Sequence, residues 1–252
     1  MNKSVKIISL LVVVGLAVGG LTQMNLMPSS KTETTSVLET EKEIVAVSSD
    51  DSSESVERFV EGVHYQKVEG ISVPEEISEP YVIEYFWMGC SHCQNLEPVI
   101  TTFTERQNIT LFKKAAPLKE RWILDAKVYY ALKETGNEEH FDELFKLYMD
   151  MGKEMKLPMK DDLVGFLTSK GIDAENFETV MMSDSIKETL YQTSEEMIKN
   201  KLTGVPKLVI NGKYLATPNE DIKTNRDYME LVKYLTEKEP ERPIFFVSGQ
   251  IP

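Results

Sequence analysis

The chain has 252 residues, with 41 acidic against 28 basic side chains and a net charge of −13. That charge argues against nucleic acid as a partner, because phosphates would repel the surface. Its two cysteines sit three positions apart, which rules out a scaffold held by several disulfides, while the length suffices for one or two domains with a sizeable core.

Lys3 and Lys6 precede an apolar run from Ile7 to Leu21. This is the pattern of a secretory signal over residues 1–27, with Ala17 and Gly19 offering small residues for cleavage. An uncleaved membrane anchor with the lysines left in the cytoplasm fits the same residues. Residues 28–57 are rich in Ser, Thr, Glu and Asp, as in Ser48-Ser49-Asp50-Asp51-Ser52-Ser53. Such a stretch buries too little apolar surface to offset its ordering entropy and is expected to be a disordered linker.

From Arg58 the pattern becomes that of a folded α/β domain reaching 252. Val63–Val68 reads as a short first strand. Tyr81–Trp87 is nearly continuous in apolar character, as in a strand covered on both faces. Cys93–Gln107 has helical spacing with Pro98 inside it, and Ile109–Lys113 reads as another strand. Helices are predicted over Trp122–Lys133, Glu139–Met151, Lys160–Ser169, Ala174–Met182 and Ser183–Lys201, with glycines 136, 152 and 171 as stops. Asn211-Gly212 between Lys207–Ile210 and Lys213–Leu215 signals a hairpin with a type I′ turn. A helix over Arg226–Leu235 follows, and an apolar tail, Pro243–Val247, lies near the end.

The chemistry rests on Cys90-Ser91-His92-Cys93. Cys-x-x-Cys serves as half of a metal site, as a redox pair, or as two inert thiols. A structural zinc site needs four ligands. The other imidazole candidates are His64, His92 and His140, and His92 is awkwardly placed between the cysteines. Placement favours the redox reading, since Cys90 falls where a strand gives way to a helix, and free N–H groups and the helix dipole there favour a thiolate. Cys93, one turn along, suits a better-buried resolving thiol, and His92, when cationic, adds stabilisation. Glu84 is the lone charge in its strand, six positions before Cys90. A buried carboxyl there, with raised pKa, exchanges protons near neutrality. Thr203-Gly204-Val205-Pro206 stands directly before a strand, where proline costs no ladder donor.

Two segments, Glu84-Tyr85-Phe86-Trp87-Met88-Gly89-Cys90-Ser91-His92-Cys93 and Gly204–Tyr214, together resemble the DsbA family of bacterial periplasmic dithiol oxidases. The resemblance covers roughly residues 58–238. It implies a thioredoxin-like fold with a helical domain, at about 117–200, inserted between the βαβ and ββα halves. It implies Cys90 as the exposed nucleophile, Cys93 as the resolving thiol, His92 as a stabiliser of the Cys90 thiolate and Glu84 as the buried acid near Cys93. Val205 and a cis-Pro206 would face the disulfide and pair with substrate backbone by strand addition. Lys113 and Lys114 are the candidates for the lysine that members carry near that acid. Ser91 stands where well-known members have proline, in the dipeptide that tunes the potential.

The implied function is a thiol:disulfide oxidoreductase, an oxidase introducing disulfides into exported proteins in the periplasm, either soluble or tethered through residues 1–27. Its partners would be folding exported chains and a DsbB-like membrane oxidase. No metal or separate cofactor is implied beyond the Cys90–Cys93 disulfide, and a monomer is expected. The alternatives are an extracytoplasmic reductase or isomerase of the same fold, or a non-enzymatic chaperone-like binding module.

Overall fold

The computed structural model describes residues 57–74 and 77–238. The expected signal or anchor, the linker up to residue 56 and the apolar tail lie outside the described residues.

A five-stranded mixed sheet runs in the order β1-β5-β4-β2-β3. The strands are β1 (Tyr65–Lys67), β2 (Tyr81–Phe86), β3 (Thr110–Ala115), β4 (Lys207–Ile210) and β5 (Tyr214–Ala216). All six residues of β2 are buried, because it is an interior strand, flanked by β4 and β3, and is covered on both faces. It pairs in parallel with β3 and antiparallel with β4. A parallel pair needs a crossover, and α1 (Ser91–Gln107) supplies it. Pro98 lies inside α1, and Asn108 closes the helix at φ 54°, a left-handed position that Asn tolerates.

Alternation along β2 divides its side chains between two layers. Val82 faces Leu96 and Ile100 of α1 and Leu231, Val232 and Leu235 of α7 (Asn225–Glu237). Ile83 and Tyr85 face Met197 and Leu202 on the opposite side. Phe86, at the strand's end, enters a third cluster built by the insert, where its ring meets Tyr129 and Phe141 edge-on at 5.1 and 5.8 Å. The insert comprises α2 (Glu120–Glu134), α3 (Phe141–Lys153), α4 (Lys160–Ser169), α5 (Ala174–Met181) and α6 (Asp184–Lys199). The thioredoxin-like fold with a helical domain between β3 and β4 is therefore as expected.

Several details differ from the sequence reading. The first strand is shorter than Val63–Val68. Gly136 and Gly171 end their helices at positive φ, but Gly152 does not. It stays inside α3, and the left-handed turn is made by Met155 at φ 57°. There the Met155 and Lys156 amides donate to the carbonyls of Gly152 and Met151 at 2.9 and 3.0 Å. Those bonds fix the stop three residues later than glycine alone suggests. Asn211 and Gly212 both have positive φ, as the hairpin requires, and the Lys213 amide donates to the Ile210 carbonyl at 2.9 Å. Among the described residues two prolyl bonds are cis, Glu79–Pro80 and Val205–Pro206.

Candidate active site

The carboxyl end of β2 leads through Trp87, Met88 and Gly89 to Cys90, and α1 begins at the next residue. Cys90 is the helix cap, with extended backbone at φ −89°, ψ 114° and its Sγ accepting from the Cys93 N–H at 3.4 Å. A sulfur thus occupies the position where an N-cap oxygen usually satisfies orphan amides. The first turn of α1 carries no acidic residue to repel an anion.

Both cysteines are free thiols, Cys90 partly exposed and Cys93 fully buried. Their acidities diverge. A hydrogen bond from the Cys93 thiol is the main force lowering Cys90 to about 6. Partial burial opposes it, and the Cys93 and His92 amides and the His92 charge support it. Cys93 moves the other way, raised by its bond to Cys90 and by burial. His92 is exposed in the first turn of α1, which begins two residues earlier than the helix expected from Cys93.

Across the groove the Cys90 Sγ lies 3.7 Å from the Val205 carbonyl oxygen, and Val205–Pro206 is cis. The two sequence segments are therefore brought together. Beneath them, Glu84 is wholly buried on the β2 face that turns toward α1 and α7. Burial pushes its pKa up, and the adjacent Lys113 pulls it only partly back. Lys113 Nζ lies 2.8 Å from Glu84 Oε2, whereas Glu84 Oε1 has no hydrogen-bond partner. Lys113 is therefore the lysine beside the acid. Lys114, the other candidate, pairs instead with Glu196 at 2.6 Å, on the opposite face.

One residue escaped the sequence reading. Glu97 of α1 bonds Lys113 Nζ at 2.6 Å, so a single ammonium joins a buried carboxyl to a partly exposed one. Burial disfavours the Lys113 charge, but the two carboxylates prevail and hold its pKa above the ordinary lysine value. Glu97 lies four positions after Cys93, a helical spacing that could have flagged it, but a lone glutamate on a helix ordinarily reads as surface. Among the described residues no group of three or more His, Cys, Asp or Glu side chains is arranged to hold a metal ion. None of the described helices is long and apolar enough to cross a membrane.

A Cys-x-x-Cys capping a helix at the end of a central strand, faced by a cis-proline and backed by a buried acid, defines a thioredoxin-fold thiol:disulfide oxidoreductase. Comparison with known proteins narrows that class. The model of the DSBA-like thioredoxin domain matches residues 124–230, which take in most of the insert and the Val205–Pro206 loop. The thiol:disulfide interchange protein DsbA of Pseudomonas aeruginosa is 30% identical over 181 residues, covering 67% of this chain and 82% of that protein. DsbA of Pseudomonas syringae pv. tomato is 28% identical over 169 residues, covering 65% and 77%. The crystal structure of Pseudomonas aeruginosa DsbA superposes with a TM-score of 0.60 at 26% identity, over 71% of this chain and 93% of that one. The chain belongs to the DsbA family.

Proposed function

We propose that the enzyme runs as an oxidase, with Cys90 as the sulfur that exchanges with substrate. In the oxidised enzyme Cys90 and Cys93 form a disulfide. A substrate thiolate attacks Cys90 Sγ, the S–S bond breaks, and Cys93 leaves with the electron pair and takes a proton. A second substrate thiolate then attacks the substrate sulfur of the mixed disulfide and expels Cys90 as thiolate. The substrate gains a disulfide and the enzyme is left as the dithiol, so two electrons have moved to the enzyme.

The observation that carries this reading is the divergence of the two thiols. A Cys90 lowered to about 6 is a good leaving group and a stable thiolate, so the reduced form is favoured and the disulfide is reactive. The raised Cys93 must be protonated as it leaves. Glu84, with its own pKa raised by burial, is the nearby acid, and Lys113 and Glu97 lead from it toward solvent. His92 adds positive charge beside Cys90. Val205, whose carbonyl lies beside Cys90 Sγ, and the cis Pro206 are placed to pair with the backbone of an extended substrate by strand addition.

The exported location follows from the Lys3/Lys6 start and the Ile7–Leu21 run, whether the enzyme is released or stays tethered through residues 1–27. Substrates are then folding exported chains, and a DsbB-like membrane oxidase restores the disulfide. The redox centre is the protein's own Cys90–Cys93 pair, with no further cofactor, and the enzyme works as a monomer. Equilibration with glutathione tests the direction. The reduction potential is expected well above the thioredoxin value of about −270 mV. A potential at or below that value assigns the chain to reduction instead.

A further inference from the structure

We propose that Asp125 is a positioning residue for the redox pair, acting through the indole of Trp87. The inference rests on Cys90 and Cys93 being the redox centre.

Asp125 lies on α2 and is only 1% exposed, although its neighbours Ile123 and Leu124 are exposed. Its carboxylate is fully engaged. Trp87 Nε1 donates to Oδ2 at 2.7 Å, the Tyr148 hydroxyl donates to Oδ1 at 2.7 Å, and Arg121 Nε bonds both oxygens at 3.0 Å. Arg121 in turn donates to the Pro158 carbonyl at 2.7 Å. One buried anion thereby joins α2, α3, the α3–α4 connection and the end of β2. Placing a carboxylate in such a site is costly unless it is paired and hydrogen-bonded, and apolar packing would serve stability alone at least as well. A role beyond stability should show at whatever the anion holds in place.

What it holds is the residue whose backbone meets both cysteines. The Trp87 carbonyl accepts from the Cys90 N–H at 3.0 Å, and the Trp87 backbone favours the Cys93 thiolate against the burial that opposes it. The indole lies flat on Trp122, with centroids 4.8 Å apart and planes at 16°. Gly89 is wedged beside it, since a Cβ there would come within 2.5 Å of the Trp87 ring and 2.8 Å of Leu157. With the indole pinned, the path from Trp87 to Cys90 has little lateral freedom. The thiol and amide donors that stabilise the Cys90 anion depend on that path, and such bonds weaken steeply with misalignment. The helical insert therefore tunes the redox centre as well as covering the sheet.

The test uses the purified full chain. Trp87→Phe keeps an aromatic ring but removes the donor to Asp125 together with part of the face stacked on Trp122. The midpoint for alkylation of Cys90 is expected to rise by about half a pH unit or more. In a glutathione buffer that half-reduces the parent enzyme, the dithiol-to-disulfide ratio is expected to fall about threefold or more. Asp125→Asn, which keeps one acceptor, is expected to shift both readouts in the same direction by less. Tyr148→Phe removes a bond to the same carboxylate from α3. It is expected to destabilise both redox forms equally, leaving the alkylation midpoint and the glutathione ratio unchanged. Unchanged values in Trp87→Phe overturn the proposal, as does an equal shift in Tyr148→Phe, which would mark general loosening. Failure of the parent enzyme to exchange with glutathione would sink the oxidoreductase site itself, an outcome distinct from either.

Discussion

If the Cys90 thiolate stabilises the reduced enzyme, the reduced form must gain stability with pH while the oxidised form does not. Cys90 falls from an ordinary 9.0 to about 6 in the folded dithiol. At about 1.4 kcal/mol per pH unit this caps the effect at about 4 kcal/mol. Cys90 is half-exposed, and solvent screening brings the figure to about 2 kcal/mol. The sign follows from linkage. A group whose folded pKa is depressed contributes stability that is fully present above its unfolded value, here about pH 9, and lost as pH falls through about 6. The disulfide form has no thiol at this position to titrate, and Glu84 is present in both forms. Urea unfolding of both forms between about pH 5 and pH 9 should show the reduced-minus-oxidised difference rising by about 2 kcal/mol, most of it between pH 6 and 9. The potential should fall by about 59 mV per pH unit below pH 6, where two protons accompany two electrons, and by about 30 mV above it. A difference that stays flat across this range, or a potential without a break near pH 6, would refute the argument from thiolate stabilisation.

Three further outcomes are expected. Glu84→Leu removes a buried carboxyl whose Oε1 is unpaired and leaves Lys113 its bond to Glu97, so the fold should gain about 1–3 kcal/mol in urea unfolding. The same variant should slow disulfide exchange near neutral pH in stopped-flow assays, because Cys93 loses its neighbouring acid. Gly89→Ala forces a methyl against the Trp87 ring and should cost about 1–3 kcal/mol by thermal or urea unfolding. His92→Ala should raise the Cys90 alkylation midpoint by less than about one pH unit, and about 1 M salt should erase most of the difference, because His92 is exposed and its charge is screened.

The fold was legible where local pattern and tertiary context agree. Tyr81–Trp87 reads as a doubly covered strand because every residue of β2 is in fact buried. Asn211-Gly212 reads as a turn because both positions need positive φ. Gly152 misled because glycine permits a left-handed stop without compelling one, and the closing hydrogen bonds made the turn at Met155. On α2 the local reading inverts, since Ile123 and Leu124 are exposed while Asp125 is buried. Residues 120–127 mix charged and apolar side chains, so no side of the helix announces itself as interior. The buried position of Asp125 is fixed by partners at 87 and 148, which no local window contains.

The same distinction runs through the site. Glu84 was visible because a charge inside an apolar strand has no cheap local explanation, and burial with one unpaired oxygen bears that out. Glu97 and Lys113 are individually ordinary, a glutamate on a helix and a lysine on a strand whose face is only half covered. They become part of the site only when the β2–α1–β3 crossover lays α1 against β2 and β3. The thiol chemistry is local because a helix N-terminus is a local object: Cys90 caps the helix whose amides stabilise its anion. The proton route is non-local, because a buried acid requires a counter-charge delivered from a neighbouring strand and an outlet delivered from the facing helix. Removing Lys113 would therefore test the relay more sharply than removing either carboxylate, since it alone touches both. Lys113→Met should raise the Glu84 pKa further, because it deletes the one nearby charge that opposes burial. The alkaline limb of the pH–rate profile for exchange, where the protonated acid is lost, should then move to higher pH, and an unmoved limb would place proton delivery elsewhere.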